Sequence, residues 1–303
     1  VEHMRHFDAL SNSQKNVLRS HPTGIDTIEF MSQESHLDAE VSAWVKFMQE
    51  RYIAPEGLDN TLVLLPCSDR KPYRLSKSHR KFIEAIGTNG CHEVMVTSPL
   101  GLVPRDLEET WPASHYDIPV TGDWSLNEIE RTKQMLLSLI NRHNYHTVIN
   151  HSSMDFDLDG VDYFATRQGL PATSKEALAN LSQVVAEVSM NNKIRNRKHH
   201  KILLDNFSSI ARYKMENDLW LEGVTIRGKP PFWRIEVDGK QIALWSNDRR
   251  GFSLAKASIP IISRHSSLKK INLNPEVIWK GDIFSNIVDS YDDGIQSGDD
   301  LLV

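Results

Sequence analysis

Thr61-Leu62-Val63-Leu64-Leu65-Pro66-Cys67-Ser68-Asp69-Arg70-Lys71-Pro72-Tyr73-Arg74-Leu75-Ser76-Lys77-Ser78-His79 passes from an apolar run into a polar, basic turn. The run, residues 61–65, reads as a short strand buried on both faces. From Lys77 onward, Phe82, Ile83 and Ile86 mark one face of a helix. The unit is therefore strand, turn, helix, with Cys67 at the carboxyl end of the strand, where ligands bind in open α/β sheets. A thiolate is the useful form of cysteine, and Arg70 and Lys71 supply cations that favour it. Ser76 is placed to cap the helix, His79 lies in its first turn, and Pro72 keeps Lys71 extended. A plainer account fits the same residues: a cysteine after a buried strand is commonly a small core residue, and Ser-Lys-Ser-His is an ordinary way to start a helix.

Outward from this unit, strands and helices alternate. Residues 37–52 carry Val41, Trp44, Val45, Phe47 and Met48 at helical spacing. Residues 93–97 predict a second strand and residues 147–149 a third, with a helix over 126–142 between them. Ser125 followed by Glu128 has capping-box spacing. A further helix over 173–190 has Ser174 as its cap. Strands separated by helices imply a parallel sheet in an α/β domain. The segment from Pro99 to Trp124 is too long for a mere connector. Because it leaves a strand's carboxyl end, Pro104, Arg105, Asp117 and Asp123 are candidates to face the same crevice as Cys67. Packing of Tyr116, Ile118 and Trp124 onto the sheet is an equally good account of that segment.

Composition bounds the function. The chain has 303 residues, 40% hydrophobic and 25% charged, with a formal net charge of -5. That charge does not announce a nucleic-acid binder, although a local basic patch on an acidic protein can track phosphates. Lys193, Arg195, Arg197, Lys198 and Lys201 form the densest basic run. Cys67 and Cys91 are the only cysteines, too few for a disulfide framework, so a reducing cytoplasmic setting is expected. No apolar run reaches bilayer length, and no membrane association is expected. His143, His146 and His151 are separated by a helix end and a strand and make a poor ligand set. Asp155, Asp157, Asp159 and Gly160 open like a calcium loop, but Thr166 stands where the closing Glu belongs. No metal or cofactor is expected.

The motif Pro66-Cys67, Lys71-Pro72-Tyr73, Ser76, His79 resembles the signature of the archaeosine synthase family, archaeal tRNA-modifying relatives of tRNA-guanine transglycosylases. A second block, Ser98 to Pro104 followed by His115 to Gly122, resembles the same family. The resemblance implies catalytic roles for Cys67, Lys71, Tyr73, Ser76 and His79, and contact of the basic run with RNA. It also implies a uracil-DNA-glycosylase-like three-layer α/β/α sandwich over residues 38–201, after a linker or arm over 1–37.

Beyond residue 202 the pattern changes. Trp233 to Val237, Asp238-Gly239 and Lys240 to Trp245 are a strong hairpin signal. By resemblance, residues 202–276 form the small α+β module that precedes the PUA domain, and 277–303 the start of the PUA β-barrel. The family's transglycosylase-like barrel has no counterpart here, so a short or truncated form is expected.

The reaction implied by the resemblance is addition of lysine to the nitrile of 7-cyano-7-deazaguanine at position 15 of tRNA. Its implied partners are tRNA, free lysine and a radical-SAM subunit, with a separate transglycosylase-like barrel or a homo-oligomer as ways to complete the assembly. A catalytically silent tRNA-binding subunit is the alternative from a different class. A base-excising glycosylase with Asp69 positioning water is a third.

Overall fold

Leu62, Val63, Leu64 and Leu65 are fully buried, which places their strand at the centre of a sheet covered on both faces. The computed structural model describes residues 28–29, 39–58, 60–88, 90–117, 124–191, 198–230, 232–246, 251–265, 268–293, 295 and 301–303. The chain forms two units, one from Asp26 to Ile210 and one that includes Ala211 to Val303.

In the first unit the elements run β1 (Ile28–Glu29), α1 (Ala39–Glu50), β2 (Thr61–Pro66), α2 (Lys77–Ile86), β3 (His92–Thr97), β4 (Gly101–Pro104), β5 (Tyr116–Asp117), α3 (Leu126–Arg142), β6 (Thr147–Asn150), β7 (Asp162–Ala165), α4 (Lys175–Asn191) and the start of α5 (His199–Met215). The sheet order is β4-β3-β2-β6-β7. β2 pairs in parallel with β3 and with β6, and β6 with β7. β4 is antiparallel to β3. Helices α2 and α4 pack together, as do α1 and α3.

Local chemistry explains the boundaries. Ser76 caps α2 by accepting the His79 backbone N–H at 3.1 Å. Ser125 and Glu128 form a complete capping box at the start of α3. Ser174 accepts the Ala177 N–H at 3.2 Å and starts α4. Between β3 and β4 the chain reverses at Gly101, whose φ of +73° suits glycine and whose missing Cβ would meet Met135 Sδ at 2.5 Å. The Pro99–Trp124 segment thus carries regular structure of its own, β4 and β5, the latter paired in parallel with β1. Ile118 lies outside the described residues.

Three elements escaped the sequence pattern. β4 is short and sits inside that segment. β7 is an edge strand with exposed Asp162, Phe164 and Ala165 and no alternation to read. α5 spans residues read as a basic run followed by a change of domain.

The second unit contains the rest of α5, then β8 (Thr225–Lys229), β9 (Phe232–Val237), β10 (Lys240–Ser246), β11 (Gly251–Leu254), α6 (Ile259–His265), β12 (Ile271–Leu273) and β13 (Val288–Tyr291). β8 to β11 form an antiparallel four-stranded sheet. Asp238 and Gly239, with φ of 48° and 73°, make the expected two-residue turn. Trp220 and Trp245 both present edge contacts to Phe252 at 5.1 Å and anchor this core. β12 and β13 form a separate antiparallel pair.

Candidate active site

Register brings Cys67 and Thr97 together. Pro66, the last residue of β2, lies opposite Val96, so Cys67 and Thr97 leave the same edge of the sheet side by side. The Thr97 hydroxyl bonds the Cys67 sulfur and favours its thiolate. It also contacts the Tyr116 hydroxyl at 2.6 Å, which in turn bonds the Tyr73 hydroxyl. Lys71 Nζ stands 4.3 Å from the centre of the Tyr116 ring. Burial pushes the Cys67 thiol up; Lys71 and Thr97 pull it back, and Asp69 adds to the rise. The sulfur is half-buried. It is a partly accessible nucleophile held by one cation and one hydroxyl.

The rest of the motif is structural support. Tyr73 is fully buried, its ring 5.1 Å from that of His79. It has no face free to stack on a base, contrary to the expectation for that ring. His79 is also fully buried, and Arg105 Nη2 donates to its Nδ1 at 3.1 Å. A ring that accepts from a guanidinium is neutral with its proton on Nε2. Burial and Arg105 push its pKa down to about 3. His79 therefore does not serve as the proton carrier expected from an unperturbed imidazole. Ser76 is the helix cap described above.

Arg105 does not face the crevice. Its guanidinium is engaged by Glu93 at 2.6 Å, Glu108 at 3.0 Å and His79. Pro104 lies opposite Val94, three residues back along β3 from Thr97, roughly 10 Å from the carboxyl edge. Asp117 lies in β5 opposite Glu29. Asp123, Lys193, Arg195 and Arg197 lie outside the described residues. Lys198 is exposed immediately before α5. Lys201 pairs with Asp205 at 3.2 Å and Glu56 at 3.5 Å.

Sequence reasoning missed four contributors. Thr97 and Tyr116 complete the hydroxyl cluster at the sulfur. Glu108 is fully buried and accepts the Arg74 backbone N–H at 3.0 Å as well as the Arg74 and Arg105 side chains, so it fastens the motif loop. Ser98, next to Thr97, donates to Glu128 of the capping box. The second motif block contains Ser98 and Tyr116, and that was the available signal.

At the opposite, amino-terminal edge of the sheet lies a buried network. Tyr52 donates to Asp106 at 2.9 Å, and its oxygen accepts from His92 Nε2 at the same distance. Tyr145 bonds His92 Nδ1. The His92 ring is stacked between Tyr52 and Tyr145, at 5.9 Å from each.

Residues 41–185 match a family model described as Domain of unknown function (DUF5591). Over 256 residues the chain is 36% identical to the archaeosine synthase of Methanocaldococcus jannaschii, an alignment covering 79% of this chain and 43% of that protein. Over 220 residues it is 36% identical to the archaeosine synthase subunit alpha of Thermoplasma acidophilum, covering 70% and 41%. The chain is homologous to the archaeosine synthases. A third homologue, the archaeosine synthase subunit alpha of Methanosarcina acetivorans, is 36% identical across 72% of this chain and 36% of its own length. The chain thus spans less than half the length of these archaeosine synthases. A solved structure, described as AF0587, a protein of unknown function, matches with a TM-score of 0.59 over 81% of this chain and 82% of that one. At 20% identity that likeness concerns the fold alone.

The thiol site of this archaeosine synthase homologue lies inside the matched segment, and so do its supports Glu93, Arg105 and Glu108. Among the described residues no group of three or more His, Cys, Asp or Glu is arranged to hold a metal ion. No described helix is long and apolar enough to cross a membrane.

Proposed function

We propose that the chain acts in archaeosine formation, joining the amine of lysine to the nitrile of 7-cyano-7-deazaguanine at position 15 of tRNA. The observation that carries this reading is Cys67 at the carboxyl edge of the sheet with Lys71 and Thr97 beside its sulfur. A nitrile carbon is an electrophile suited to sulfur. Cys67 adds to it, forming a carbon–sulfur bond, and the thiol's proton ends on nitrogen to give a thioimide. The lysine amine then adds to the same carbon, the carbon–sulfur bond breaks, and an amidine is left. Lys71 favours the thiolate in both steps. The printed names of the relatives support the assignment to archaeosine biosynthesis, and the shared motif supports the positions.

In this reading the partners are tRNA, free lysine and a radical-SAM subunit that acts on the adduct. A transglycosylase-like barrel on another chain, or a second copy, completes the assembly. The basic run with Lys198 and Lys201 contacts the tRNA backbone. The uracil-DNA-glycosylase-like character of the first unit, and the pre-PUA and PUA character of residues 202–303, belong to the same proposal.

One observation favours a second reading. Burial pushes the Cys67 thiol up rather than down, as for a structural cysteine, in which case lysine attacks the nitrile directly. Incubation of tRNA carrying 7-cyano-7-deazaguanine with lysine, followed by nucleoside mass analysis, separates the two. The thioimide route expects adduct from wild type and none from Cys67→Ala. Adduct from both means direct attack. Wild type that binds the tRNA yet gives no adduct overturns the synthase assignment for this chain and leaves a binding subunit.

A further inference from the structure

Three hydroxyl groups run in series to the Cys67 sulfur: Tyr73 to Tyr116, Tyr116 to Thr97 at 2.6 Å, and Thr97 to Cys67. All three side chains are buried, Tyr73 and Tyr116 almost completely. They come from different places, the motif loop, β5 and the end of β3, and none but Tyr73 belongs to the cysteine motif. A core hydroxyl normally ends on a nearby carbonyl. Here Thr97 does have such an alternative, the Ser98 carbonyl at 3.3 Å.

Each hydroxyl has one proton to give. If Thr97 gives its proton to sulfur, its oxygen must accept from Tyr116, whose oxygen must then accept from Tyr73. The end of the series thereby fixes the direction of every bond in it. Hydrogen bonds aligned this way polarise one another, and a bond to an ionised acceptor is the strong kind. When the sulfur carries a proton, Thr97 can turn to the Ser98 carbonyl instead. The geometry therefore has two arrangements, and the thiolate selects one of them.

We propose that Tyr73, Tyr116 and Thr97 form a directional donor chain that stabilises the Cys67 thiolate, with Thr97 a catalytic residue touching the sulfur and the two tyrosines positioning residues behind it. The idea extends the cysteine route above and rests on it for its role in turnover. On that route the chain acts twice: it favours the thiolate before sulfur adds to the nitrile carbon, and it receives the thiolate again when the carbon–sulfur bond breaks. No net proton enters the chain, because the thiol's proton is the one that ends on the nitrile nitrogen. The other groups facing the sulfur are Lys71, which favours the thiolate, and Asp69, which opposes it. Burial of the phenols keeps them protonated as donors, since both hold their protons above the ordinary tyrosine range.

The test is the pH dependence of Cys67 alkylation, read by peptide mass so that Cys91 does not contribute, on the full chain without tRNA or lysine. Iodoacetamide and methyl methanethiosulfonate are used in parallel. Thr97→Val is expected to displace the rising limb by about one to two pH units to higher pH, roughly ten- to a hundredfold slower at a given pH. Thr97→Ser is expected to restore the wild-type profile. Tyr116→Phe is expected to displace it in the same direction by about half a unit, and Tyr73→Phe by less. Both reagents should report the same displacement, whereas a change of access would scale them differently. Coincident profiles for wild type and Thr97→Val overturn the proposal, as does a Tyr116→Phe profile equal to wild type. If Thr97→Val fails to fold, Tyr116→Phe, which keeps the ring and removes only the hydroxyl, decides. Because the readout needs no substrate, displaced profiles with no lysine adduct would sink the proposed function and leave the donor chain standing.

Discussion

Arg105 donates from Nη2 to Nδ1 of His79 at 3.1 Å, inside a core from which both rings of the motif, Tyr73 and His79, are closed to solvent. The bond makes His79 a post on which the first turn of α2 stands. A buried neutral histidine has a consequence for stability. Its pKa falls from 6.5 to about 3 on folding, so between those values the unfolded chain binds the extra proton. The contribution is fully present above about pH 6.5 and is lost as pH falls toward 3. From pH 6.5 down to pH 5 this one group costs about 2 kcal/mol. His79→Gln, which keeps an acceptor for Arg105, should lose correspondingly less over that interval. Urea midpoints at pH 7, 6 and 5 for both proteins test this; parallel declines would show that His79 is not held neutral.

Glu108 and Glu109 are adjacent and make opposite predictions. Glu108 is fully buried between Arg74 and Arg105. Removing it strands two guanidiniums, and Glu108→Ala should cost about 3 to 5 kcal/mol. Glu109 pairs with Arg74 at 3.3 Å from a partly exposed position, and Glu109→Ala should cost under about 1 kcal/mol. Denaturant titration of the two variants checks the contrast, and equal losses would contradict it.

Lys71 is the cation nearest to the thiol in charge terms and the first-named influence opposing its burial. Lys71→Met should slow alkylation of Cys67 at neutral pH by roughly two- to tenfold, because the thiolate fraction falls. High salt should weaken the wild-type advantage and leave the variant unchanged. A variant that reacts as fast as wild type would remove Lys71 from the site.

Ser125→Ala removes one half of the capping box at the start of α3, where Ser125 accepts from the Glu128 N–H and Glu128 accepts from the Ser125 N–H at 2.9 Å. The loss should be about 1 kcal/mol, seen as a lower thermal midpoint. Because Ser98 also donates to Glu128, the variant should leave the pH profile of Cys67 alkylation in place, a control for the hydroxyl chain.

The strand–turn–helix around Cys67 was legible because each part has a local cause: an unbroken apolar run, a proline-bearing turn, a serine cap. So were the capping box of α3 and the Asp238-Gly239 hairpin. The supports were not. Arg105 was read as facing a crevice because the segment leaves a carboxyl edge, but β4 turns back along β3 and carries it the other way. That reversal depends on Gly101 packing against Met135, a contact between residues too far apart in sequence for periodicity to register. His79 and Tyr73 carried motif spacing, which marks positions and is silent about burial. α5 had apolar spacing at Ile202, Leu203, Phe207, Ile210 and Met215, but the basic residues before it drew the eye to charge.

The stacked Tyr52, His92 and Tyr145 rings, with Asp106, close the amino-terminal edge of the sheet far from the sulfur. Fastening and chemistry thus occupy opposite margins of the same scaffold. An inheritable change at Cys67, Lys71 or Thr97 alters what the protein can do without loosening what keeps it folded there. For a designer, the carboxyl margin is open ground: another nucleophile or another amine acceptor can be tried at position 67 on a frame already bolted down behind it.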